Sequence, residues 1–304
     1  MTAIRHHYFS KFYVKGFVAP GKKQLVRINL NTGEIRDKSP RAVGGADHFN
    51  TVRIDGVAPD AVESSYAEFE TRAGAAIKRV CEKNLFEGDD RILVLNLVAL
   101  FGVRSPHMRS HFTEARRQMV EKMLDVAFAT EERWKQEMER LRRSGYEVND
   151  DVTYEDVVRF LRPENHTFSV NNEEHIRTEV RLVDTVLECL EKRSWRMIRT
   201  TEEIGWFVTT DNPVGLAWLD PETVPAIHRN SPGHCLKGTW LYFPLRKDCA
   251  LVGFFGGRDE VIAADRRLVA LMNCHLMTLS QGEVYSPTRD FYWLPEDGEI
   301  RCGM

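Results

Sequence analysis

Several familiar catalytic signatures are missing from this 304-residue chain. It has no phosphate-cradling G-x-x-x-x-G-K-[ST] loop, no G-x-G-x-x-G after a strand, no G-x-S-x-G elbow and no H-E-x-x-H helix. P-loop, dinucleotide-binding, α/β-hydrolase and zincin chemistries are therefore excluded as recognisable classes. The six cysteines are scattered from Cys81 to Cys302 without a C-x-x-C pair or a tight Cys/His cluster, which argues against structural zinc. Four of them sit in apolar segments, so the expectation is buried thiols in a reducing compartment. No apolar run approaches the roughly 20 residues that span a bilayer, and the opening residues lack a signal-peptide core. The reading is a cytoplasmic protein with no membrane partner. A surplus of one charge sign is absent too: 42 basic against 45 acidic residues leave a net charge of -3. That supplies no global field to attract nucleic acid, so a nucleic-acid partner would need a local basic patch.

What is present divides into three stretches of one expected domain, residues 1–304. Residues 1–58 hold an aromatic, histidine-bearing start and an expected hairpin over Gln24 to Ile35, turning at Asn31-Thr32-Gly33. Phe9, Phe12 and Tyr13 at helical spacing predict that the start docks into the core and carries His6 and His7 with it. Residues 59–193 read as helical. Helices are expected over 60–84, over an almost wholly apolar 91–102, over a long charged 107–145, over 151–162 and over 172–192. From Ser194 the hydrophobic period moves toward two. Five short aromatic and β-branched runs predict strands of one mostly antiparallel sheet, and a helix is expected over Asp259 to Met277. The loop from Pro221 to Lys237, with His228 and His234, has the length of a lid or binding loop. Strands at both ends and helices between them make the expected fold class α+β.

The candidate site centres on FVTTDNPVG, Phe207 to Gly215. A strand running into Asp211-Asn212-Pro213 would hold a carboxylate and an amide at a sheet rim, although Asp and Asn also make such turns for their own sake. Imidazole titrates near neutrality and binds metals, so one of His6 and His7 could serve as a base or ligand. Adjacent positions point apart, so only one of the two faces a given site.

The ordered series HHY near the start, SPRAV, HFN, Arg104-Ser-Pro, TDNP, Phe243-Pro-Leu, Asn273 and Tyr285-Ser286 resembles the bacterial domain-of-unknown-function family 4238. The chain departs from that family's opening motif at Ser10, where a proline is usual. The resemblance covers most of the chain, implies no assigned activity, and groups His6, His7, Arg104, Asp211 and Asn212 into one site. It also implies an acidic residue at the position of Glu70 on the first long helix. The expectation is a hydrolase of phosphodiesters or phosphates, nuclease-like. His6, His7, Arg104 and Asp211 would be catalytic, with Asn212, Asn273 and His48 on substrate and Asp211 with His7 on a divalent metal. One alternative is a binding or defence-associated protein in which the same polar set only staples segments together. A lesser one uses Arg104 and His111, whose separation matches the spacing of the helical ribonucleases called HEPN domains and would put both on one helix face.

Overall fold

The computed structural model describes residues 5–303 and is α+β, in two compact units: residues 5–107 with 172–303, and residues 108–171. In the first unit, β1 (Arg5–His7) pairs antiparallel with β4 (Gly45–Asp47). Between them lie α1 (Lys11–Lys15), β2 (Leu25–Asn29) and β3 (Ile35–Lys38). β2 and β3 form the expected hairpin. Its turn is organised by Asn29, whose Oδ1 accepts from the N–H groups of Asn31 and Thr32, and by Gly33 at φ +69°. The aromatic start is buried as expected. Tyr13 stacks on Phe243 with centroids 5.3 Å apart, and Phe9, Phe17 and Phe101 close around it.

α2 (Ala61–Lys83) and α3 (Gly88–Val103) follow, and α3 is the central helix. Eight of its residues are buried, which is what an apolar stretch with no polar face requires. It packs against α2 and against α7 (Asn172–Glu191).

The long charged helix is two helices. α4 (Pro106–Ala127) and α5 (Glu131–Arg143) are separated at Phe128–Thr130, because the Thr130 hydroxyl accepts from the Arg133 N–H at 3.3 Å and caps a new helix. α6 (Tyr154–Phe160) opens on a capping box made by Thr153 and Asp156. From Met108 onward these helices make up the second unit.

The C-terminal strands build two main sheets rather than one. β5 (Ser194–Arg199), β7 (Gly215–Trp218), β8 (Thr239–Arg246), β9 (Cys249–Phe254) and β10 (Glu260–Ala263) form a five-stranded sheet. Its order is β10-β5-β9-β8-β7. β6 (Thr209–Thr210) belongs elsewhere, pairing with β11 (Glu283–Ser286) in a sheet of order β3-β2-β11-β6. A strand of two residues has no period to read, and its partner is remote in the chain.

The helix expected from Asp259 begins later, as α8 (Arg266–Thr278). Asp259 instead accepts from the Trp195 N–H at 2.7 Å and leads into β10, which runs parallel to β5. Asp265 then caps α8 through the Leu268 N–H. β12 (Tyr292–Trp293) and β13 (Arg301–Cys302) form a small closing pair.

One cysteine expectation is corrected. Cys189 on α7 is joined to Cys235 with Cα atoms 5.0 Å apart, while Cys81 and Cys249 are buried free thiols. That bridge fastens the 221–238 loop to α7, and the Arg193 guanidinium ties the same loop to the sheet by donating to the His234 carbonyl and to Thr239. Among the described residues, no helix is long and apolar enough to cross a membrane.

Candidate functional site

The two histidines lie on β1 and take opposite directions, as strand alternation demands. His6 is almost wholly buried, and its Nδ1 accepts from the Asn50 N–H at 2.8 Å. The Asn50 amide in turn donates to Glu63 Oε2 at 2.6 Å, tying β1 to the first turns of α2. His7 has its Nε2 3.4 Å from the Arg41 carbonyl. In that tautomer Nε2–H donates and Nδ1 keeps a lone pair. Burial lowers the His7 pKa below 6.5, and the positive charge of Lys11 lowers it further, so the ring is neutral at physiological pH.

Arg104 ends α3, where Pro106 forbids continuation. Its side chain is fully buried; Nε donates to the Tyr8 carbonyl at 3.2 Å, Nη2 to Glu70 Oε1 at 2.8 Å, and the guanidinium lies 4.1 Å from the Tyr66 ring centroid. Burial raises the Glu70 pKa, with the adjacent Arg104 charge pulling the other way. Glu63 and Glu70 are seven residues apart on α2, two turns along one face.

His7, Glu63 and Glu70 line one open cavity of about 470 Å³. Ser10, Lys11, Lys78 and Arg246 also reach it, with apolar wall from Phe12, Ile77 and Leu245.

Asp211 is not among those lining residues. It lines a second cavity of about 270 Å³ with Tyr8, Asn31, His107, Gln281 and Glu283. Both of its carboxylate oxygens are committed to backbone: Oδ1 accepts from the Gln281 N–H at 2.8 Å and Oδ2 from the Glu283 N–H at 3.1 Å. Burial pushes its pKa up to about 6 against the pull of those two N–H groups. Beside it, Glu283 accepts from Arg27 and from the Tyr285 hydroxyl.

The other sequence candidates hold the fold together. Asn212 donates from Nδ2 to the Leu279 carbonyl at 3.0 Å and completes its turn through Thr210. Asn273 is fully buried, its Oδ1 accepting from the Val208 N–H and its Nδ2 donating to the Trp206 and Tyr292 carbonyls. His48 sits at φ +56° in an exposed turn, its carbonyl accepting from Asn172. Arg104 and His111 do not share a continuous helix, since α3 ends at Val103 and α4 begins at Pro106, and they belong to different units. Among the described residues, no group of three or more His, Cys, Asp or Glu side chains is arranged to hold a metal ion. The pairing of Asp211 with His7 on a metal is not formed, because the two line different cavities.

Sequence reasoning missed Glu63, Lys11, Lys78 and Arg246. A carboxylate two turns ahead of Glu70 on a long helix was the legible signal for Glu63. The cations reach one cavity only through packing and leave no trace in spacing.

The family model described as a protein of unknown function (DUF4238) matches residues 5–290. The chain belongs to this family. The DUF4238 match takes in both the opening that supplies His7 and the TDNP turn that supplies Asp211. No curated protein and no solved structure matches the chain.

Proposed function

We propose that this DUF4238 member is a hydrolase of a phosphodiester or phosphate ester, with its chemistry in the larger cavity rather than at Asp211. One observation carries the reading: a neutral imidazole and a carboxyl with a raised pKa line the same cavity as three cationic side chains. Water attacks phosphorus while His7 takes a proton from it. The bond from phosphorus to the leaving oxygen breaks, and that oxygen takes a proton from water, while Glu70 stays paired with Arg104 at the cavity wall. Lys11, Lys78 and Arg246 offset the negative charge on the phosphoryl oxygens. Because nucleic acids are phosphodiesters, RNA and single-stranded DNA are among the substrates to be tested.

The test is turnover of p-nitrophenyl phosphate, bis-p-nitrophenyl phosphate, RNA and single-stranded DNA, with and without Mg²⁺, Mn²⁺ or Zn²⁺. His7→Ala should lower kcat by about 10²- to 10⁴-fold, the usual weight of a general base. A wild-type chain inert on every substrate would sink the proposal.

The alternative, a binding or defence-associated interaction protein, draws support from the Asp211 and Arg104 contacts, which staple segments of the protein to one another.

A further inference from the structure

We infer that the ligand of the larger cavity is a small phosphorylated molecule with a flat apolar body, the size of a nucleoside monophosphate, and not a nucleic-acid strand; this rests on the hydrolase reading of that cavity. Size comes first. About 470 Å³ falls inside the range of roughly 300–1,000 Å³ typical of small-molecule sites. A strand-binding protein instead offers a continuous basic groove for about 4–16 nucleotides, with successive aromatic platforms. This cavity is lined by two aromatic rings, and one of them is spent on structure: Tyr13 is buried, its hydroxyl 2.9 Å from Thr209 Oγ1 and donating to the Pro244 carbonyl at 2.8 Å. Phe12 is left as the single platform, enough for one base.

The second argument is how Phe12 is held. Its ring lies across α2 at Gly74, so close that a Cβ there would stand 2.7 Å from Cδ2. Glycine in mid-helix weakens the helix. Here its missing side chain is what lets the ring lie flat on α2 at the cavity wall. Ile77 and Leu245 continue that apolar surface.

Charge is the third. Lys11 precedes Phe12 on α1, Lys78 lies one turn beyond Gly74 on α2, and Arg246 comes from the end of β8. Asp248 already holds Arg246 through Nε at 2.9 Å and Nη2 at 3.0 Å, which fixes that guanidinium in place. Three cations next to a single stacking ring suit one phosphate attached to one planar body. They do not make a track.

Isothermal titration of the full-length chain at low salt tests this, with adenosine 5′-monophosphate, adenosine, ribose 5-phosphate, inorganic phosphate and a single-stranded RNA of about twelve nucleotides. The nucleotide should bind best, with adenosine and ribose 5-phosphate each roughly tenfold weaker or worse, since each keeps only one of the two recognised parts. Lys11→Ala and Lys78→Ala should each weaken the nucleotide roughly three- to tenfold, an effect that shrinks as salt is added. Gly74→Ala should weaken nucleotide and adenosine and leave ribose 5-phosphate unchanged. RNA bound more tightly than the mononucleotide, no binding of the mononucleotide, or lysine variants of unchanged affinity would each overturn the inference. Nucleotide binding with no phosphate release from it or from p-nitrophenyl phosphate would end the hydrolase reading alone. RNA cleavage without mononucleotide binding would do the reverse.

Discussion

His7 and Tyr8 are neighbours in the chain, yet His7 lines the larger cavity and Tyr8 the smaller one beside Asp211. Each cavity has a carboxyl whose pKa burial raises, Glu70 in one and Asp211 in the other. The difference is in what meets the carboxyl. Asp211 is gripped by two backbone N–H groups of the loop and strand from Gln281 to Glu283, so its oxygens are part of the sheet's wiring. Glu70 accepts directly from the side chain of Arg104 and also lines an open cavity with His7 and cationic side chains. A perturbed pKa therefore marks a candidate for chemistry only where the group also reaches open space beside complementary partners.

The sharpest way to break this contrast is at Arg104. Arg104→Met removes a fully buried cation and leaves Glu70 without its partner, which should cost about 3–5 kcal/mol of stability in urea unfolding. A loss near zero would mean that Glu70 is solvated and the pair is dispensable.

Asp211→Asn should come next, at about 1–3 kcal/mol, because the amide offers one acceptor oxygen where the backbone presents two donors. Its pH signature has a definite sign. The folded pKa of about 6 lies above the ordinary 3.8, so this group's stabilisation is complete below about pH 4 and is lost as pH rises through about 6. The stability difference between wild type and Asp211→Asn should shrink over that window. Unchanged stability with abolished turnover would instead return Asp211 to the chemistry and undo the comparison.

Asn212→Ala should cost less, about 1 kcal/mol, from one side-chain hydrogen bond to the Leu279 carbonyl, and should leave kcat intact. The smallest expected stability effect is at His7, where activity should carry the signal. Because its pKa is lowered below 6.5, the acidic limb of the kcat profile should fall below pH 6.5 and should vanish in any residual activity of His7→Ala. A limb above pH 6.5 would point to another base.

The helices were legible where apolar residues recur at helical spacing, as in α2 and α7, or run nearly unbroken, as in α3. The break between α4 and α5 went unseen because Thr130 sits among strong helix formers, and only its hydroxyl bond to Arg133 shows it as a cap. Asp211, Asn212 and Asn273, which the family motifs contain, are all buried or half-buried and hydrogen-bonded. Their contacts run to backbone atoms far along the chain, which no local pattern reports.

Composition, periodicity and ordered motifs by themselves determined the α+β class, the buried aromatic start, the central apolar helix and the membership in DUF4238. These are properties of single segments, written in 3.6- and 2-residue periods. Only the tertiary structure decided which polar residues share a cavity. Strand pairing brings β11 onto β2 and β6, and β4 onto β1, across long stretches of chain. A strand turns successive side chains to opposite faces, so one residue step parts His7 from Tyr8, while helix packing lays Glu63, Glu70 and Lys78 along the wall of the cavity that His7 lines.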